Sequence, residues 1–399
     1  MSTAAPYGAP VAGVLLGTLV LVAGLFAGVM LLRNGRLRRR STSAVFFVTV
    51  LVCAALAGMA VRPGGSSKDT AEAGVPVRGS VQLGARQVPV LVVPNRPGFN
   101  LVAVDADEVS VGTTRDRLTP GEPRPGSRHT WAGVTLPAGR SSLWVSAGGL
   151  SGSLTVDTGD DTGRALPALR GADGPECASS ALGALAAGVA RPLTTCPADR
   201  LSTADTEALR ATVKFVAQRG ERALALVADE SPRGTAAAAV IRAAADREGI
   251  SISATPRAGH PLVIVSGWQG ADSALRDVAA GRSKARGAYL APWLLTTPLL
   301  QPAAGQVLPL RYAPRSDQPM RYVADLARLW PSAAPTAAGY ESWLSARDET
   351  THRSPVLLYA ASVARIPGSS GTGGHHGTAR ADWLPEGLIT PVSGVLRAS

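Results

Sequence analysis

The chain has 399 residues, 45% of them hydrophobic and 17% charged, with 44 Gly, 30 Pro and only 3 Cys. That composition excludes a disulfide-dense mini-protein and a disordered chain, and the length allows two or three domains. The net charge is +11, carried by 37 arginines and only three lysines, Lys68, Lys214 and Lys284. Six of the arginines and no acid fall in residues 1–62. The rest shows no basic run or aromatic-studded basic stripe, so nucleic acid is not an expected partner.

Two uncharged apolar stretches open the chain, at 10–32 and 44–61. At about 1.5 Å per residue the first is long enough to cross a hydrocarbon core of about 30 Å. Between them stand Arg33, Arg36, Arg38, Arg39 and Arg40. Positive loops stay in the cytoplasm. A hairpin of two transmembrane spans is expected over 1–62, with the N-terminus and residues 63–399 extracytoplasmic. The lipid bilayer is then a partner, and a membrane protein a candidate one. A signal peptide would carry its charge before the apolar region; here the charge follows it.

Residues 63–74 are small and polar and read as a linker. Short alternating runs follow at 75–83, 87–93, 99–104, 108–112, 129–135, 141–146 and 151–156, separated by Gly, Pro, Asn and Asp. This spacing predicts an all-β, Ig-like sandwich over 75–157, with Trp131 and Trp144 facing inward. A second linker at 158–174 continues the acids of Asp157, Asp160 and Asp161.

The segment Pro94-Asn95-Arg96-Pro97-Gly98-Phe99-Asn100 and the apolar run after it resemble the strand entry of the copper-resistance CopC/YtkA-like sandwiches. That resemblance implies His, Met or Asp ligands for copper. Residues 75–157 hold one His, His129, and no Met. Copper handling is therefore an alternative, and a spacer or interaction module the plainer one.

From residue 175 the composition turns Ala-rich and the period helical. Residues 203–218 put Ala204, Leu209, Val213, Phe215 and Val216 on one apolar face, with Ser202 or Thr203 as cap. A continuous apolar run at 223–227 has the pattern of a buried parallel strand. The turn from Asp229 to Gly234 leads to a helix over 235–248, closed by Gly249. Strands at 250, 262–266 and 287–290 and a helix at 271–281 continue the alternation. A parallel sheet with right-handed crossovers follows.

Gly174-Pro175-Glu176-Cys177-Ala178-Ser179-Ser180, the stretches 193–198 and 213–250, Gly339-Tyr340-Glu341 and 383–387 together resemble type I periplasmic solute-binding proteins, especially the branched-chain amino acid receptors. The resemblance covers 175–399. It implies a two-lobed α/β domain that closes on a small-molecule ligand, with no cofactor and no enzymatic activity. It also places Ser179 and Ser180 at a helix N-terminus on a strand's carboxyl edge, where free N–H groups and the helix dipole favour a ligand carboxylate. An N-cap is the plainer role for Ser179. Arg233 is a further candidate for an acidic ligand, against a plain surface arginine. There are departures. Arg233-Gly234 stands where the receptors carry Tyr-Gly, Pro292-Trp293 replaces a Pro-Glu step, and Ala178 stands where they tend to carry serine. An interaction or assembly scaffold that has lost its ligand is the alternative these departures favour.

Cys177 and Cys196 are expected to form a disulfide in an oxidising compartment, with two free thiols or a metal pair as the alternatives. Cys53 falls in the second apolar stretch and reads as a small apolar residue. His375 and His376, in a Gly- and Ser-rich loop, could hold a metal but make an incomplete site. No phosphate-binding loop, Gly-x-Ser-x-Gly or nucleophile–base arrangement is present. The expected function is non-catalytic binding, by a membrane-anchored extracytoplasmic protein, of a small and carboxylate-bearing molecule or a partner.

Overall fold

The computed structural model describes residues 72–301, 305–350, 354–363, 381–385 and 387–397. The expected spans at 10–32 and 44–61, Cys53, and His375 and His376 lie outside them. The described residues form one compact unit.

Three sheets are built in chain order. The strands β1 (Val77–Leu83), β2 (Arg86–Val93), β3 (Gly98–Val104), β4 (Ser110–Thr114), β5 (Arg117–Pro120), β6 (Glu122–Pro123), β7 (Thr130–Leu136), β8 (Arg140–Ala147) and β9 (Leu150–Asp157) form two antiparallel sheets. Their orders are β1-β2-β3-β7-β6 and β5-β4-β8-β9. Helices α1 (Pro167–Arg170), α2 (Gly174–Ala186) and α3 (Thr203–Gln218) follow. Next come β10 (Ala223–Val227), α4 (Pro232–Arg247), β11 (Ser251–Ser253), β12 (Leu262–Ile264), α5 (Trp268–Ala279) and β13 (Ala288–Leu290). The chain continues with α6 (Thr297–Leu300), β14 (Gln306–Leu310), α7 (Asp317–Leu329), α8 (Ala337–Ala346), β15 (Leu357–Val363) and β16 (Gly387–Pro391). The third sheet has the order β11-β10-β12-β13-β14-β15-β16. Its strands β10 to β14 are parallel, and β15 and β16 add antiparallel.

The expected fold class is corrected. Among the described residues no helix is long and apolar enough to cross a membrane. The helices are short and two-faced: α3 buries Leu209, Val213 and Val216 and turns Thr203 and Glu207 to water. The expected membrane-anchored, extracytoplasmic arrangement is corrected to that extent: the described residues supply no spanning helix, and the stretches at 10–32 and 44–61 lie outside them. An independent all-β, Ig-like domain is also overturned. Val90, Val92, Val102 and Val104 face the four-stranded sheet. Their neighbours Leu91, Val93, Leu101 and Ala103 join the same core as Leu169, Cys177, Leu182 and the seven-stranded sheet. The five-stranded sheet is therefore covered on both faces. This explains why β2 and β3 carry unbroken apolar runs instead of alternation. Trp131 is buried in that shared core, whereas Trp144 is half-buried on the far side of β8 from Leu143 and Val145. Finally, the α/β part is not two-lobed: α3, β10, α4 and β11 belong to the one seven-stranded sheet and the helices covering it.

Candidate functional site

The site is assembled from helix starts. In α2, Gly174 and Pro175 open the helix, and Pro suits that place because its missing N–H has no partner there. Glu176 is thus in the first turn. In α3, the Ser202 hydroxyl accepts from the Asp205 N–H at 3.0 Å and donates to Asp205 Oδ2 at 2.7 Å. In α4, Ser231 caps the Gly234 N–H at 2.9 Å, and Pro232 then sets Arg233 in the first turn. In α8, Thr336 caps the Gly339 N–H at 2.9 Å and brings Glu341 one residue past the first turn's end. Acids near helix N-termini complement the dipole. That local preference puts Glu176, Asp205 and Glu341 where the four helices converge.

Between these helices and the segment 191–200 lies a cleft of about 300 Å³. Its charged walls are Glu176, Arg191, Arg200, Asp205, Arg233 and Glu341. The Cys177–Cys196 disulfide, with Cα atoms 4.9 Å apart, ties the segment to α2. Cys196 itself lines the cleft. On the floor, Arg233 donates two bonds to Glu176, at 2.7 and 2.6 Å. Its guanidinium stacks on Trp293, 4.4 Å from the ring centre. Burial works against the Arg233 charge, but the Glu176 carboxylate outweighs it and holds the guanidinium above its usual value.

Glu341 differs. Its side chain is exposed and opens to the cleft space. Desolvation within the cleft, then repulsion from Asp205, pushes its carboxyl up to about 8. Asp173 is also raised, chiefly by burial, while its Oδ1 accepts from the Gln269 N–H at 2.8 Å. A wider hollow of about 560 Å³ lies at the sandwich end, but its charged groups Arg86, Asp105, Asp107, Glu108 and Arg128 are exposed or half-buried.

Ser179 and Ser180 sit in the second turn of α2, not at its start, because the helix begins at Gly174. Ser179 Oγ donates to the Glu176 carbonyl at 2.7 Å and accepts from Thr336 Oγ1 at 2.9 Å. Ser180 does line the cleft. Arg233 is in the cleft but committed to Glu176. His129 is buried beside Trp330, its Nε2 3.2 Å from Ser332 Oγ. Among the described residues no group of three or more His, Cys, Asp and Glu is placed to hold a metal ion. Sequence reasoning missed Asp205, Glu341, Arg191 and Arg200. Only Asp205 carried a local signal, the Ser-x-x-Asp spacing of a helix start.

No family model matches the sequence, and no curated protein matches it. Among solved structures, part of the fold is similar to a branched-chain amino acid ABC transporter periplasmic ligand-binding protein from Burkholderia xenovorans LB400. Identity is 12% and the TM-score 0.33, over 48% of this chain and 63% of that one. An extracellular ligand-binding receptor from Verminephrobacter eiseniae matches at 15% identity and TM-score 0.31, over 37% of this chain and 50% of that one. A solute-binding protein from R. palustris, solved with benzoate, matches at 10% identity and TM-score 0.32, over 49% and 66%. The chain thus spans half to two thirds of these proteins. The likeness falls on the type I periplasmic substrate-binding group, in partial and divergent form.

Proposed function

We propose that the chain is a non-catalytic binding protein that holds a small molecule in the cleft between α2, α3, α4 and α8. Glu341 carries this reading. Its side chain is exposed to the cleft beside a second acid, Asp205, where a cationic ligand group would relieve the repulsion between them. Arg191 and Arg200, both exposed at the mouth, are placed to meet a ligand carboxylate. They take the role that the sequence suggested for Arg233, Ser179 and Ser180. The walls are fixed by helix caps and the disulfide, so little ordering is required of them on binding.

The test is thermal unfolding of the full chain against a panel of amino acids, organic acids, amines and short peptides, with Trp293 fluorescence as a local readout. A ligand at 100 times its Kd should add about 2.7 kcal/mol. The shift should vanish when Glu341→Gln is combined with Arg191→Ala. No shift across the panel would reject the reading. A second reading, an interaction module without a ligand, draws on the Glu176–Arg233 pair and Trp293, which fill the cleft floor with protein contacts. It expects that empty panel.

A further inference from the structure

The cleft continues at both ends. Beside Asp205 and Glu341 a side chamber of about 30 Å³ opens towards Tyr312. It has room for one group the size of a water molecule. The Tyr312 hydroxyl is buried there with no hydrogen-bond partner among the described residues. At the other end, past Arg191, lies a groove of about 240 Å³. Ser180, Arg191, Thr195 and Ser342 line both the cleft and this groove. Beyond them its walls are Ala181, Leu185, Val189, Leu193 and Thr194, with no acid among its lining residues. Arg191 spans the junction, with a long contact of 3.5 Å to Ser345 Oγ on α8.

We propose that this continuous channel takes the amino-terminal end of a short peptide, its α-ammonium in the chamber between Asp205, Glu341 and the Tyr312 hydroxyl and its following residues in the outer groove. The inference deepens the cleft reading and rests on it. The chamber is too small for a guanidinium or trimethylammonium group but fits –NH₃⁺, with two carboxyls and a hydroxyl as acceptors. Arg311, which also lines it, is held by the Ser354 carbonyl and Glu207. The acid-free outer groove does not suit a second cation, which sets polyamines aside. Cleft and groove together exceed what one amino acid fills. The hydroxyls of Ser342, Thr194 and Thr195 and the Arg191 guanidinium suit peptide groups, and the aliphatic wall suits small apolar side chains.

Calorimetric titration of the full chain with C-terminally amidated tetraalanine, its N-acetylated form and alanine amide tests this. Tetraalanine amide should bind, and N-acetylation should weaken it by about thirtyfold or more, the scale of an unpaired charge. Glu341→Gln should lose as much. Tyr312→Phe, which keeps the ring and removes only the hydroxyl, should lose less but measurably. Leu185→Trp, filling the outer groove, should weaken tetraalanine amide and leave alanine amide unchanged. Each variant's thermal midpoint establishes that it is folded. Equal binding of the acetylated peptide overturns the proposal, and so does equal binding of alanine amide. If no alanine compound binds while another solute shifts the unfolding temperature, this inference falls and the cleft reading stands. If no solute does, both fall.

Discussion

Arg233 and Glu176 meet fork to fork on the cleft floor, with side chains 4% and 1% exposed. The two charges are distant in sequence and isolated from water, so each depends on the other. Glu176→Leu should cost about 3–5 kcal/mol in urea unfolding, because it leaves a buried guanidinium unpaired. The double variant Glu176→Leu, Arg233→Leu should recover most of that loss. If the double variant is as unstable as the single, the pair stabilises through more than charge compensation.

The disulfide should act on the cleft wall and on stability together. Cys177 and Cys196 close a loop with a sequence separation of 19. Opening it in Cys177→Ala, Cys196→Ala should cost about 3 kcal/mol in the chain-entropy model. The segment is also held by the Leu193 N–H on the Gly74 carbonyl at 2.9 Å and by Arg96 on the Leu193 carbonyl at 3.3 Å. Hydrogen exchange should therefore rise in residues 194–200 and much less at Leu193. A uniform rise across the chain would show that the bridge stabilises the whole unit, not its wall.

Helices α2 and α8 approach through two glycines. A Cβ on Gly183 would collide with the Gly339 carbonyl, and a Cβ on Gly339 with the Tyr322 hydroxyl. Gly183→Ala should lower stability by about 1–3 kcal/mol, the cost of overpacking, despite alanine's better helix propensity. The same substitution at Gly188, which meets nothing within 4 Å but has a φ of +81°, strains the backbone without separating the helices. Only Gly183→Ala should widen the cleft, read as a change in Trp293 fluorescence.

What the sequence could show follows from the range of the signal. The caps at Ser202 and Ser231 and the runs of β10, β12 and β13 are local, and they were readable. The double coverage of β2 and β3 was written in Val90-Leu91-Val92-Val93, yet an unbroken run of four also fits a sandwich strand, so the shared core stayed hidden. Ser179 and Ser180 were misplaced because Pro175 starts α2 earlier than the apolar period suggests. Glu341 was legible only as part of the Gly339-Tyr340-Glu341 resemblance, not as a site residue: its place in the cleft depends on Asp205, which the fold brings near. Trp144 was misassigned because Leu143 and Val145 take the inward face of β8.

The pH dependence of stability should reveal the joint between the sandwich and the α/β part. Ser332 Oγ donates to Asp105 Oδ2 at 2.7 Å, so it accepts from His129 Nε2–H at 3.2 Å. His129 is 5% exposed. Burial, only partly offset by Asp105, lowers its pKa from 6.5 to about 4. The folded protein holds this ring neutral, while the unfolded chain takes up a proton below 6.5. The contribution is therefore fully present above 6.5 and is lost as pH falls towards about 4. Its size is at most about 3 kcal/mol. Glu341 works in the opposite sense: its raised carboxyl favours the folded state below about 4.5, and that advantage fades as pH rises to about 8. His129→Phe should flatten the acid limb between pH 6.5 and 4 relative to the parent chain, at a modest cost at pH 7 for the lost hydrogen bond. Glu341→Gln should leave that limb intact and flatten the limb between 4.5 and 8. Urea midpoints for the three proteins at half-unit pH steps measure both. Parallel curves for parent and His129→Phe would mean that the ring is solvated and protonates freely in the folded state.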